Sequence, residues 1–168
     1  MLLKFSLLGL FATSVLADGA AIVAAMDEIA TQNTELGETV AAWDGGLFGT
    51  LPIIIDSTKL LIKINEATKV AEESEPLNAI EAITVAQSTQ KLAVGVNTTL
   101  GNVVDAKPKF DRLLLSPIIL LNLKQEKSAT DKFSTAVIEK VPETLQAVAK
   151  NLVAQIETDF NNAIATYS

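Results

Sequence analysis

Apolar residues recur along most of this chain at alternating steps of three and four, the pattern of helices that bury one stripe. The first series runs Ile22, Met26, Ile29, Leu36, Val40 and Trp43, interrupted at Asn33. Asp18 stands where an oxygen acceptor satisfies the first free N–H groups, and Gly45-Gly46 where a left-handed residue closes a helix, so a helix is predicted over 19–43. Thr50-Leu51-Pro52 opens a second over 50–73, because proline's missing N–H costs nothing in a first turn; its stripe is Ile54, Leu61, Ile64 and Ala71. The acidic Glu72-Glu73-Ser74-Glu75-Pro76 is a connector whose charges favour the start of a third helix over 76–106. There Ile80 and Ile83 mark one face and Leu92, Val96, Leu100 and Val103 another, with Gly95 and Gly101 as places to bend. Lys107-Pro108 interrupts it. Ser116-Pro117 then starts a fourth helix through Leu121, Ala129, Phe133, Ala136 and Val137, which Val141-Pro142 ends. The fifth carries Leu145, Val148, Leu152, Ile156, Phe160, Ala163 and Tyr167. No run alternates with period two, so the expectation is an all-α, up-and-down bundle of five long helices.

Composition narrows the chemistry. Lys4, the apolar stretch from Phe5 to Val15 and the small-residue site Val15-Leu16-Ala17 read as a secretory signal peptide over 1–17, followed by a single domain over 18–168. Removing the leader leaves 151 residues and, with Lys4 gone, moves the formal charge from −7 to −8. A chain of this size buries a core that needs no covalent staples. The absence of cysteine excludes disulfides, thiolate catalysis and zinc ribbons; the absence of histidine excludes Ser-His-Asp chemistry and carboxylate–histidine metal sites. The expectation is therefore a non-enzymatic protein with no cofactor and no metal. A net negative charge with Arg112 as the lone arginine disfavours nucleic acid. The longest apolar stretch after the leader, 113–123, is half of the ~20 residues a spanning helix needs, so no transmembrane segment is expected. Residues 163–168 carry no anchor signal, which points to a secreted, extracellular protein released from the membrane.

Several features occur together: the leader, the helical domain without Cys or His, Trp43-Asp44-Gly45-Gly46, the pattern Phe133, Ala136, Lys140-Val141-Pro142, and the ending Phe160-Asn161-Asn162-Ala163-Ile164-Ala165-Thr166-Tyr167. Together they resemble the fungal hydrophobic surface-binding protein A family, whose domain also occurs in cell-wall galactomannoprotein antigens. The similarity covers the whole mature chain. It implies a secreted helical bundle of a kind in which some members adsorb to hydrophobic surfaces and recruit polyester-degrading enzymes, while others enclose fatty acids in a central apolar cavity. The long Ser/Thr-rich, lipid-anchored tail of the mannoprotein members is missing from this sequence, so the resemblance does not carry covalent wall attachment with it.

After the leader the chain has 21 alanines against four phenylalanines, one tryptophan and one tyrosine. Helices lined by small residues either draw close around a dry core or leave an apolar tunnel that a lipid tail fills. Dry packing is the ordinary outcome for such stripes; the resemblance favours the tunnel. The candidate apolar lining is Ile54, Leu61, Ile64, Ile80, Leu121, Phe133, Leu152 and Ile156. A fatty-acid head needs donors, since a buried unpaired carboxylate is costly, and Ser57, Thr68, Thr84 and Gln87 lie on the seams that could supply them. Against that stands the habit of helical hydroxyls of bonding their own backbone, and of glutamine of facing water. The segment 109–121, leucines flanked by charge and split at Ser116-Pro117, is either a core plug or an apolar lip through which lipid enters or surfaces are gripped. Asn97-Thr98-Thr99 is a glycosylation acceptor. Glu72, Glu73 and Glu75 read as a solvated junction rather than a calcium site. The function expected is secreted fatty-acid binding in a cavity between helices. The alternatives are a hydrophobic-surface-adsorbing adaptor that recruits a polyester-degrading esterase, and a structural cell-wall mannoprotein.

Overall fold

Each long apolar series forms a helix. A computed structural model describes residues 18–168; the predicted leader lies outside the described residues. The elements are α1 Asp18–Ala42, a 3-10 turn Leu47–Gly49, α2 Thr50–Glu73, α3 Ala79–Asp105, α4 Lys107–Arg112, α5 Ser116–Lys140 and α6 Glu143–Tyr167, with no strand among the described residues. Among the described residues the bundle thus has six α-helices rather than five. The additional one, α4, restarts the chain at Lys107-Pro108, where proline sits in a first turn and the Ala106 carbonyl accepts from the Lys109 and Phe110 amides. Its one buried side chain, Phe110, leaves no periodicity to read. α3 begins later than expected because Asn78 caps it: Asn78 Oδ1 accepts from the Ile80 and Glu81 amides, and the Glu81 carboxylate accepts from the Asn78 amide.

The five long helices close into a ring in the order α1, α2, α5, α6, α3, each packed on two neighbours. Cross-links give the directions. Asn33 with Thr99 and Gly37 with Asn102 keep nearly the same separation along the chain, so α1 and α3 run parallel. Ser57 with Glu126 and Glu72 with Lys140 make α2 and α5 parallel, whereas Glu28 with Lys63 and Thr39 with Asp56 make α1 and α2 antiparallel. Successive helices alternate in direction, as expected, yet α2 and α3 do not pack along each other. The α1–α3 seam is tight: a Cβ on Gly37 would lie 2.6 Å from Thr99 Oγ1, and the Thr99 hydroxyl donates to the Asn33 carbonyl at 3.0 Å.

At one end of the ring Trp43 stacks on Phe110 with centroids 4.5 Å apart, and Tyr167 donates its hydroxyl to the Val103 carbonyl at 2.6 Å. The loop leading there turns at Gly45, whose φ of +95° explains the glycine after Trp43-Asp44. The stripe of α2 holds at Ile64 and Ala71 but falls one residue from the expected phase at Ile54 and Leu61. Ile53, Ser57, Leu60, Ile64, Ala67 and Ala71 are buried, while Ile54 is exposed and Leu61 half-buried. The run Ile53-Ile54-Ile55 offers three phases. The one that wins places Ser57 opposite Glu126 of α5, a contact that spacing along α2 does not reveal.

Candidate functional site

An apolar pocket lies between α3, α5 and the first half of α6, at the end opposite the aromatic cluster. It has a volume of about 120 Å³. Ala82, Val85 and Leu92 of α3, Phe133 and Val137 of α5, and Leu145, Val148, Leu152 and Ile156 of α6 form its walls, with Met26 of α1 at its floor. No charged side chain enters that lining. Of its hydroxyls, Thr89 donates to the Val85 carbonyl at 2.9 Å and so offers the pocket mainly its methyl group. The volume compares with the ~150 Å³ apolar cavities that stay dry and take benzene-sized guests. The wall on the α6 side is thin, since no residue of α6 before Ile156 is buried and Val148 is 56% exposed.

A second, smaller pocket of about 30 Å³ lies nearer the aromatic end, among Leu36, Val40, Ile53, Val103, Phe110, Ile119 and Leu123, with three polar side chains: Ser57, Asn122 and Glu126. Glu126 is 5% exposed, and Ser57 Oγ donates to its Oε1 at 2.6 Å. Among the described residues no second donor reaches its other oxygen, and no cation pairs with it. Burial therefore pushes the carboxyl up to about 7, with the Ser57 hydrogen bond offsetting only part of the desolvation. Three buried side-chain polar atoms lack partners among the described residues: Gln32 Nε2, Asn33 Nδ2 and Asp159 Oδ2.

Of the candidate residues, Phe133, Leu152 and Ile156 line the apolar pocket and Ser57 the polar one, while Ile64 is buried in the core and lines neither. The rest lie elsewhere. Ile80 is 78% exposed, and Thr84, Gln87 and Leu121 are exposed as well. Ile80 and Ile83 flank the stripe Ala82, Val85, Thr89, Leu92, whose small side chains let α1 and α6 approach; the larger isoleucines are left at its margin, where Ile83 edges the pocket. Thr68 and Thr84 donate to the Ile64 and Ile80 carbonyls, the backbone alternative open to helical hydroxyls. Glu126 was not among the candidates. Its signal in the sequence is an acid at the spacing of Leu123, Ala129 and Phe133, on a stripe otherwise apolar.

The 109–121 segment divides between its two expected roles. Phe110 and Ile119 are core, whereas Leu114 is 85% exposed at φ +58°, a left-handed conformation that leucine rarely takes. On the neighbouring 3-10 turn Phe48 is 94% exposed, and Leu47, Leu51 and Ile118 add to the same apolar end. Asn97 is exposed on α3, but the Thr99 of its acceptor triplet is buried against α1. No group of three His, Cys, Asp or Glu side chains with metal-binding geometry occurs among the described residues, and no helix there is long and apolar enough to cross a membrane.

Residues 19–139 match the family described as hydrophobic surface binding protein A. Cell wall mannoprotein 1 of Aspergillus fumigatus is 26% identical over 99% of this chain and 58% of its own length. Its namesake from Aspergillus flavus is 24% identical over 83% of the chain and 50% of its own length, so the chain spans about half of these curated relatives. Among solved structures, Afmp4p in complex with palmitic acid superposes with a TM-score of 0.86 and 25% identity, covering 89% of this chain and 99% of that one. Ligand binding domain 1 of Penicillium marneffei MP1 protein, complexed with arachidonic acids, has a TM-score of 0.85 and 19% identity over 90% of this chain and 99% of that one.

Proposed function

The chain belongs to the hydrophobic surface binding protein A family, and we propose that it is a secreted fatty-acid-binding protein whose ligand lies between α3, α5 and α6. The observation that carries this reading is the uncharged pocket walled on one side by a half-helix without a buried residue. At about 120 Å³ it holds a segment of an acyl chain, and a whole chain enters when the first half of α6 swings outward. The polar pocket at Ser57 lies further along the same inner face of α5 and supplies donors for the head. Solved relatives holding palmitic and arachidonic acids support the class of ligand. In this reading 1–17 is the leader that sends the 18–168 domain out of the cell, to the medium or the wall where mannoprotein relatives reside, and the domain acts by binding rather than by catalysis. Native mass spectrometry of the secreted protein, followed by titration of delipidated protein with long-chain acids, tests it. Co-purified lipid and saturable binding are the expected outcome; neither signal with any long-chain acid would sink the reading.

A second reading rests on a different observation, the exposed Phe48, Leu114 and Ile118 at the aromatic end. This apolar tip suits adsorption to waxes or polyesters, from which the acidic body of the protein could present itself to a secreted esterase. Retention on a hydrophobic resin that survives high salt and falls in Phe48→Ser is its test.

A further inference from the structure

The polar pocket holds a feature that fatty-acid binding alone does not require, namely a carboxyl group where a carboxylate head would go. Glu126 lies on the inner face of α5 two turns before Phe133, ~10 Å along the helix axis; the two pockets share no lining residue, so a ligand that parts the core between them would lay its tail beside Phe133 and its head at Glu126. Asn122 sits one turn earlier on the same face, and Ser57 faces both from α2. Space of about 30 Å³ admits one small polar group among them.

Two carboxyl groups cannot both ionise at such a distance in an apolar site. No charge relieves them. Leu36 and Val40 from α1, Ile53 from α2, Val103 from α3 and Phe110 from α4 face Glu126, and α6 contributes nothing to the lining. Charged groups on the same helices pair elsewhere, Asp56 with Lys59 and Thr39, Lys107 with Asp111, and Lys127 with Asp131, while Asp159 accepts from Gln155 through one oxygen and leaves the other unpartnered. We propose that Glu126 determines head-group specificity, donating its proton to a fatty carboxylate when neutral and rejecting that carboxylate when ionised, so that loading above neutral pH takes up one proton.

This inference rests on the fatty-acid reading and deepens it. Burial already raises the Glu126 carboxyl to about 7 in the empty site, which sets the pH above which proton uptake begins. A free carboxylic acid is ionised in water from about pH 5 upward, so uptake that begins only near pH 7 reports Glu126, whereas uptake already present at about pH 5 to 7 would report protonation of the ligand itself.

The experiment is calorimetric titration of delipidated protein with dodecanoic acid and with 1-dodecanol, from about pH 5 to about pH 9. Acid affinity is expected to be flat below pH 7 and to fall roughly tenfold per unit above it, while dodecanol, which can donate to either form of Glu126, changes little. In Glu126→Gln the amide donates at every pH, so the acid should keep its low-pH affinity to about pH 9 and bind there more tightly than to the unmodified protein. A flat acid profile, or the same fall for acid and alcohol, overturns the role of Glu126 and leaves fatty-acid binding standing. No binding of either probe at any pH removes both. Should Glu126→Gln fail to fold, the contrast between acid and alcohol in the unmodified protein decides alone.

Discussion

The two halves of α6 belong to one helix and pack on the same two partners, α3 and α5, yet they are held very differently. In the second half Ile156, Phe160, Ala163 and Tyr167 are all buried, and the Tyr167 hydroxyl is tied to the Val103 carbonyl beside the Trp43–Phe110 stack. In the first half Leu145, Ala149, Leu152 and Val153 are only half-buried and Val148, though it lines the pocket, is exposed, so the apolar surface they cover on α3 and α5 is closed by one thin layer. Local stability follows buried apolar contact, and an element that must let a ligand in comes from the weak end of that scale. Helix α6 is thus held by buried apolar side chains only from Ile156 onward.

Truncating the anchored half should have the largest effect. Phe160→Ala is expected to cost about 3–5 kcal/mol in denaturant unfolding, because the cavity it leaves lies inside a closed core. A loss below about 1 kcal/mol would show that the two halves do not differ as described. The next effect comes from Glu126. Its carboxyl rises from an ordinary value of 4.5 to about 7 on folding, so the unfolded chain loses the proton first. Stability should fall as pH rises between those values, at ~1.4 kcal/mol per pKa unit and by about 3 kcal/mol in all, and stay level above them. Unfolding curves of Glu126→Gln should lack that slope.

In the loosely packed half the cost is smaller. Leu152→Ala should lower the stability of ligand-free protein by only about 1–2 kcal/mol, since the side chain is half-buried, while reducing the rise in melting temperature that a long-chain acid produces. Amide exchange read by mass spectrometry should agree, with 145–152 exchanging faster than 156–163 when empty and the contrast shrinking on loading. The smallest effect on folding belongs to the exposed tip. Phe48→Ser should move stability by less than about 0.5 kcal/mol, and the adsorption reading requires that it weaken resin retention all the same.

Much of the architecture was legible in the pattern of residues. Thr50 and Glu73 bound α2 as expected, Val141-Pro142 separates α5 from α6, and Phe133, Leu152 and Ile156 stand at the pocket. Three-and-four spacing is a property of a single helix and survives in the sequence whatever that helix packs on. The polar candidates fared unevenly for the complementary reason. Ser57, Thr68 and Thr84 look alike along their helices, but only Ser57 meets a side chain from another helix, Glu126, while the other two turn back onto their own backbone. Short α4, with one buried residue, had no period to show.

By itself, then, the sequence determined five long amphipathic helices, most of their ends though not the start of α3, the absence of thiol and imidazole chemistry, and membership of a family that its motifs already resembled. The tertiary structure decided the ring order, which places α6 between α3 and α5; the phase of α2, which brings Ser57 to Glu126; and the loose seating of the first half of α6 over an apolar pocket. These depend on contacts between residues some sixty or seventy positions apart, and one helix's spacing does not say which face of another will meet it.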